Sequence, residues 1–150
     1  MPPQGSCVMS YAGDLSVRQC WDLLGSDKNA FMVDVRTVAE WAYVGLPDLA
    51  QDMQKIILQQ WQVFPDMAVD GEFTDNLRQQ LSQAGADTSS KLCFLCRSGV
   101  RSLAAAKAMT AIGYANSYNI AGGFEGDLDE QGHRGDRNGW KADGLPWRQR

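Results

Sequence analysis

The sequence predicts an α/β protein built on a small parallel β-sheet, and three observations lead there. Short apolar runs alternate with segments of helical spacing along the chain, the order expected of β-α-β units. The run Ala30-Phe-Met-Val-Asp-Val-Arg36 is apolar at adjacent positions rather than alternate ones, as in a strand covered on both faces. Arg36, Cys96 and Gly122-Gly123 all fall at the carboxyl ends of predicted strands, where open α/β sheets bind ligands.

Bulk properties narrow the function. A length of 150 residues suits one domain over 1–150 with a full core. Hydrophobic content of 44% and charged content of 21% are those of an ordinary globular chain. The net charge of −4 gives a nucleic-acid partner no electrostatic support. No apolar run reaches the ~18–20 residues that span a membrane. The start, Met-Pro-Pro-Gln-Gly-Ser, has neither a basic segment nor a long apolar one, so no secretory signal is read. Four cysteines are too few for a disulfide scaffold, and a reactive thiol works best in a reducing compartment. The expected location is cytoplasmic.

In chain order, Cys7-Val8-Met9 is a candidate short strand. Ser16 reads as the N-cap of a helix to about Leu24, with Val17, Cys20, Leu23 and Leu24 at helical spacing. Cys20 is then a small core hydrophobe. The strand Ala30–Arg36 contains Asp34, a carboxylate that needs donors from loop N–H groups or an arginine. Thr37-Val-Ala-Glu40 has the form of a capping box. Lys55–Trp61 has strand character, and Thr74 or Asp75 opens a helix to about Ala84 with Leu77 and Leu81 inward. Trp61, Phe64 and Met67 are either an apolar rim or core, with core favoured. Lys91–Leu95 is a strand, Leu103–Ile112 a helix closed by Gly113, and Ser117–Ile120 a strand before Gly122-Gly123.

The stretch Lys91-Leu-Cys-Phe-Leu-Cys96-Arg97-Ser98-Gly99-Val100-Arg101-Ser102 carries the chemistry. A cysteine between a strand and a helix N-terminus meets backbone N–H donors and the positive end of the helix dipole. The guanidiniums of Arg97 and Arg101 add to an environment suited to a nucleophilic thiolate. Gly99 permits φ > 0, so that successive N–H groups turn inward as an anion-binding nest. Ser102 is the expected N-cap. These features describe a nucleophile in an anion cradle.

CRSGVRS after an apolar strand resembles the active-site loop of rhodanese-like sulfurtransferases. Four residues separate Cys96 from Arg101, the spacing of sulfur-transferring members. Related phosphatases and arsenate reductases carry one residue more. Asp34-x-Arg36, on the strand beside the loop, is similar to a family signature that supports the loop rather than performing catalysis. Leu46 stands where many members have a structural histidine. The resemblance runs over roughly residues 14–147, with 49–85 as a family-variable insert. It implies a rhodanese-like fold, a small parallel β-sheet flanked by helices on both faces. It also implies sulfane-sulfur transfer through a Cys96 persulfide, without a cofactor. The implied partners are a small sulfur donor and a thiol or cyanide acceptor, with a protein sulfur carrier as a further option. Two alternatives stay open: a catalytically silent binding module, and phosphatase or arsenate reductase chemistry, which the loop length disfavours.

Other constellations in the chain compete with this one. Cys93 and Cys96 form a CxxC, yet Cys93 lies mid-strand, where a packed thiol is favoured over a resolving one. A structural zinc site needs four ligands, and the lone His133 completes one only if Cys7 and Cys20 converge with it. Glu125, Asp127 and Asp129 alternate without the twelfth-position glutamate of an EF-hand, so solvated loop carboxylates are expected. Arg101 either faces substrate or turns inward to Asp34 or Glu40.

Overall fold

The computed structural model describes residues 11–63, 68–134 and 137–149. Five parallel strands form the central sheet in the order β1 (Gly13–Leu15), β8 (Ser117–Ile120), β7 (Lys91–Leu95), β2 (Ala30–Asp34) and β4 (Ile57–Leu58). Strand alternation sends side chains of one strand to two different layers. From β2 and β7, Phe31, Val33, Leu92 and Phe94 face a cluster completed by α3 (Phe73–Gln83) and α4 (Val100–Ala111). Ala30, Met32, Cys93 and Leu95 face the other, closed by α1 (Val17–Ser26) and by Phe124, Trp140 and Leu145 from the C-terminal segment. Each fully buried Leu or Phe contributes roughly 1.5–3 kcal/mol. The expected α/β sheet with helices on both faces is the observed one.

Local signals account for most boundaries. Ser16 and Gln19 exchange backbone-to-side-chain hydrogen bonds at 3.0 and 2.9 Å, a capping box that starts α1. Thr37 and Glu40 do the same for α2 (Val38–Tyr43). Gly113, at φ +113, follows the C-cap of α4.

Four expectations are corrected. The first turn of α4 begins at Val100, with Gly99 at the N-cap. Ser102 therefore lies inside the helix, buried, rather than capping it. The strand read over Lys55–Trp61 reduces to Ile57–Leu58. Beyond it, Gln59 and Trp61 donate to the carbonyls of Asp34 and Val35 without continuing the ladder. The third helix begins at Phe73, ahead of Thr74 or Asp75, because buried Phe73 packs edge-to-face on Trp61 with ring centroids 4.9 Å apart. That contact makes Trp61 a core partner. Phe64, Met67 and the strand expected at Cys7-Val8-Met9 fall outside the described residues.

Just before the insert, β3 (Leu46–Pro47) pairs with β9 (Trp147–Arg148), and the insert itself holds an antiparallel ribbon of β5 (Gln62–Val63) and β6 (Ala68–Val69). Buried Leu46 fills a core position in β3. Among the described residues, no helix is long and apolar enough to cross a membrane.

Candidate active site

Cys96 follows the last residue of β7, and the chain turns through residues 97–99 into α4. The turn closes because Gly99 adopts φ +115, a conformation that side chains of L residues resist. Its N–H then points back and donates to Cys96 Sγ at 3.1 Å. Ser102, one helical turn in, places its hydroxyl 3.2 Å from the same sulfur.

A second turn holds the loop from behind. Phe124 N–H donates to the Cys96 carbonyl at 2.9 Å, and the Glu125 and Gly126 N–H groups donate to the Arg97 carbonyl at 3.0 and 3.1 Å. With those carbonyls engaged behind the loop, the Gly99 N–H turns to the sulfur. Approach this close requires Gly123, where a Cβ would sit 2.5 Å from the Cys96 oxygen and 2.6 Å from Arg97 backbone atoms. Gly123→Ala is expected to cost about 3 kcal/mol or more through backbone clash and left-handed strain. Thermal unfolding should show this as a Tm lower by roughly 6–12 °C, and a shift under 2 °C would contradict the contact.

The two loop arginines have different settings. Arg101 is bidentate on Glu40, with Nη1–Oε1 at 2.7 Å and Nη2–Oε2 at 2.9 Å. Glu40 is already fixed by Thr37 through the α2 capping box. Burial opposes the Glu40 charge, but the Arg101 guanidinium and the Thr37 donors outweigh it and hold the carboxyl below its usual range. Arg101 thus takes the inward alternative, with Glu40 rather than Asp34 as partner. Arg97 is exposed, and among the described residues it has no ion-pair partner. Both arginines line a cleft of about 400 Å³ together with Glu40, Val44, Gln62 and Glu125. Ser98 is half-buried in the turn, and exposed Val100 opens the helix.

Asp34 and Arg36 lie beneath this layer as a fully buried ion pair. Arg36 Nε donates to Asp34 Oδ1 at 3.0 Å, and Nη2 donates to Oδ2 at 2.7 Å and to the Gly45 carbonyl at 2.7 Å. The guanidinium stacks over Phe124, 4.4 Å from the ring centroid, while its Nη1 has no hydrogen-bond partner. A cation over an aromatic face is partly compensated there.

Sequence reasoning missed a polar chain behind the sulfur. Ser102 Oγ donates to Asn119 Oδ1 at 2.6 Å, and Asn119 Nδ2 donates to Asp14 Oδ1 at 3.1 Å. Tyr11 caps the chain by donating to Asp14 at 2.9 Å. That hydrogen bond, with burial and the Asp14 charge, raises the Tyr11 phenol above its ordinary range. The available signal was Asn119 itself, a polar residue within the Ser117–Ile120 strand that, like Asp34, needs a hydrogen-bond partner when buried.

The remaining cysteines separate from the site. Cys93 projects to the face opposite Cys96, among the residues packed on α1, so the pair cannot form a local disulfide without turning the strand over. Cys93 and Cys20 share one buried cluster, and the neighbouring Cys93 thiol, together with burial, raises the Cys20 thiol well above its usual range. Among the described residues, no group of three or more His, Cys, Asp or Glu side chains is arranged to hold a metal ion; Cys7 lies outside them.

Residues 16–130 match the rhodanese-like domain family, and the chain belongs to that family. It is 42% identical to Rv0390 from M. tuberculosis, a solved structure that aligns with a TM-score of 0.82 over 94% of this chain and 100% of that one. It is 43% identical over 129 residues to the uncharacterized protein RC0915 of Rickettsia conorii, covering 86% of this chain and 91% of the relative. The polysulfide-sulfur transferase of Wolinella succinogenes shares the fold, with a TM-score of 0.58, 19% identity and coverage of 98% and 85%.

Proposed function

We propose that this protein is a sulfurtransferase that moves sulfane sulfur from thiosulfate or a persulfide to a thiophilic acceptor through a Cys96 persulfide. The observation that carries the reading is the Gly99 N–H aimed at Cys96 Sγ from 3.1 Å, at the mouth of an inward-facing turn. Such donors stabilise a thiolate and then the terminal sulfur bound to it. Cys96 is the nucleophile. Ser98, Gly99, Val100 and Ser102 supply the cradle, and Arg97 offers a charge to incoming anions. Arg101, tied to Glu40, positions the loop, and Asp34 and Arg36 support it from below.

The Cys96 thiolate attacks the outer sulfur of the donor. The donor S–S bond breaks, a Cys96 Sγ–S bond forms, and sulfite or a thiolate leaves with the electron pair. A thiolate or cyanide then attacks the terminal sulfur and restores the Cys96 thiolate. Two half-reactions through a covalent intermediate give ping-pong kinetics. The balance is complete without a cofactor.

Intact-mass measurement tests this directly. Reduced protein incubated with thiosulfate, or separately with a small-molecule persulfide, should gain about 32 Da, and cyanide should remove it. No gain with either donor would overturn the proposal and leave a binding module as the better reading.

A further inference from the structure

The hydrogen bonds behind Cys96 have a direction, and it is set at the end farthest from the sulfur. The Asp14 carboxylate only accepts. Its Oδ1 takes a bond from the Tyr11 hydroxyl at 2.9 Å and one from Asn119 Nδ2 at 3.1 Å. The Tyr11 phenol, raised above its ordinary range, keeps its proton and stays a donor. With its NH2 turned to Asp14, the Asn119 amide presents Oδ1 to α4. Ser102 donates its single hydroxyl proton there over 2.6 Å. The serine oxygen then shows lone pairs rather than a proton to Cys96 Sγ, 3.2 Å away. Ser102 and Asn119 are both buried, where a mismatched polar contact is costly.

Each state of the sulfur fits this arrangement differently. A thiol S–H donates to the Ser102 oxygen while its sulfur accepts from the Gly99 N–H at 3.1 Å. A thiolate keeps the Gly99 bond but faces the Ser102 lone pairs, unless the hydroxyl swings over and abandons Asn119. In a persulfide the charge sits on the outer sulfur and Cys96 Sγ is neutral, so the lone pairs oppose no charge at that atom. The chain therefore disfavours one state of the three, the free thiolate. It is not a proton wire, because an amide cannot relay a proton without becoming an imidic acid. The charged groups nearby are engaged elsewhere. Arg101 pairs with Glu40 and Arg36 with Asp34, while Arg97 and Glu125 line the cleft and Lys141 acts on Glu125 and Arg36. Among the described residues, none of these side chains hydrogen-bonds to Ser102 or Asn119.

We infer that Asn119 is a positioning residue for the nucleophile: it makes Ser102 an acceptor, so that resting Cys96 is held as a hydrogen-bonded thiol. The inference rests on the proposed function only in taking Cys96 as the reacting group. In the transfer reaction the same arrangement favours the loaded over the unloaded protein, because loading moves the charge off Sγ.

The test is the rate of Cys96 alkylation by iodoacetamide, a neutral reagent that reports thiolate, read by peptide mass from about pH 5 to pH 10 in the full chain. Asn119→Leu keeps the branched shape and removes the acceptor, which frees the Ser102 proton to meet a thiolate. Its rate profile should slide down by about one pH unit, as one hydrogen bond to a charged group gives. The low-pH rate should rise roughly threefold and the high-pH plateau fall roughly threefold, since a weaker base is also a weaker nucleophile. A merely loosened site would move both rates the same way. Ser102→Ala decides the matter even where Asn119→Leu does not fold. Loss of an acceptor moves its profile down as well, by about half a pH unit, whereas loss of a donor would move it up. Adding Asn119→Leu to Ser102→Ala should change nothing further. A profile that moves up, or stays within about 0.2 pH units of the parent, in either folded variant would overturn the inference. A further shift in the double variant would do the same. No sulfur donor enters this experiment, so its failure leaves the sulfurtransferase reading intact, and failure of persulfide loading leaves the profile standing.

Discussion

Cys96→Ser is expected to abolish persulfide formation and leave the fold almost unchanged. A serine hydroxyl near neutral pH is a far weaker nucleophile than a cradled thiolate and cannot accept sulfane sulfur as a disulfide-type bond. Turnover should fall by about three orders of magnitude or more, to background. Stability should move by less than about 1 kcal/mol. The replacement oxygen can still accept from the Gly99 N–H and meet Ser102, and the Cys96 carbonyl keeps its bond from Phe124. Cys93→Ser, three residues earlier, should invert that pattern. Its hydroxyl would enter an apolar layer beside Cys20 and cost about 1–3 kcal/mol as a poorly satisfied polar group. Loading of Cys96 should persist. Intact mass after donor treatment, read beside thermal unfolding, separates the two effects. A mass gain on the Cys96→Ser protein would remove Cys96 from the chemistry. Loss of loading in a folded Cys93→Ser protein would bring Cys93 into it. Cys20 offers no competing nucleophile, since its raised thiol pKa keeps it protonated at neutral pH.

What the sequence made legible was local. Lys91–Leu95 and Ser117–Ile120 are bounded as expected because turn-forming residues flank each short strand. The Thr37–Glu40 capping box was readable because both partners lie within one turn. The need of Asp34 for a buried donor followed from the cost of a bare carboxylate in a strand, and Arg36 meets it. Ser102 was misplaced because serine favours N-caps in general. Here Gly99, at φ +115, starts the helix and leaves the serine free to turn toward Cys96. The Arg101–Glu40 pair joins residues 61 apart, and the Asn119–Asp14 contact joins residues 105 apart. No local pattern encodes either, since the strand order places them together.

Outside Cys96, Asp34→Ala should be the most damaging change, because it leaves the Arg36 guanidinium buried without its counter-ion. Removing one member of a buried ion pair costs about 3–5 kcal/mol, a large share of the roughly 5–15 kcal/mol that holds a domain folded. At this chain length the Tm should fall by roughly 6–20 °C. Stacking on Phe124 and the bond to the Gly45 carbonyl remain, but neither cancels the charge, and Nη1 already lacks a partner. The damage should reach the loop through two contacts. Phe124 carries the guanidinium on its ring and the Cys96 carbonyl on its N–H, and Val35, between the paired residues, donates to Leu95. Persulfide loading at a temperature where the variant is still folded should therefore drop as well. The double variant Asp34→Ala, Arg36→Met removes the stranded charge along with its partner, and replacing a buried pair by apolar side chains is often close to neutral. It should recover most of the lost Tm. If the single variant unfolds within 2 °C of the parent, the pair does not stabilise the fold. If the double variant is no more stable than the single one, the cost lies in lost hydrogen bonds and packing rather than in an unpaired charge.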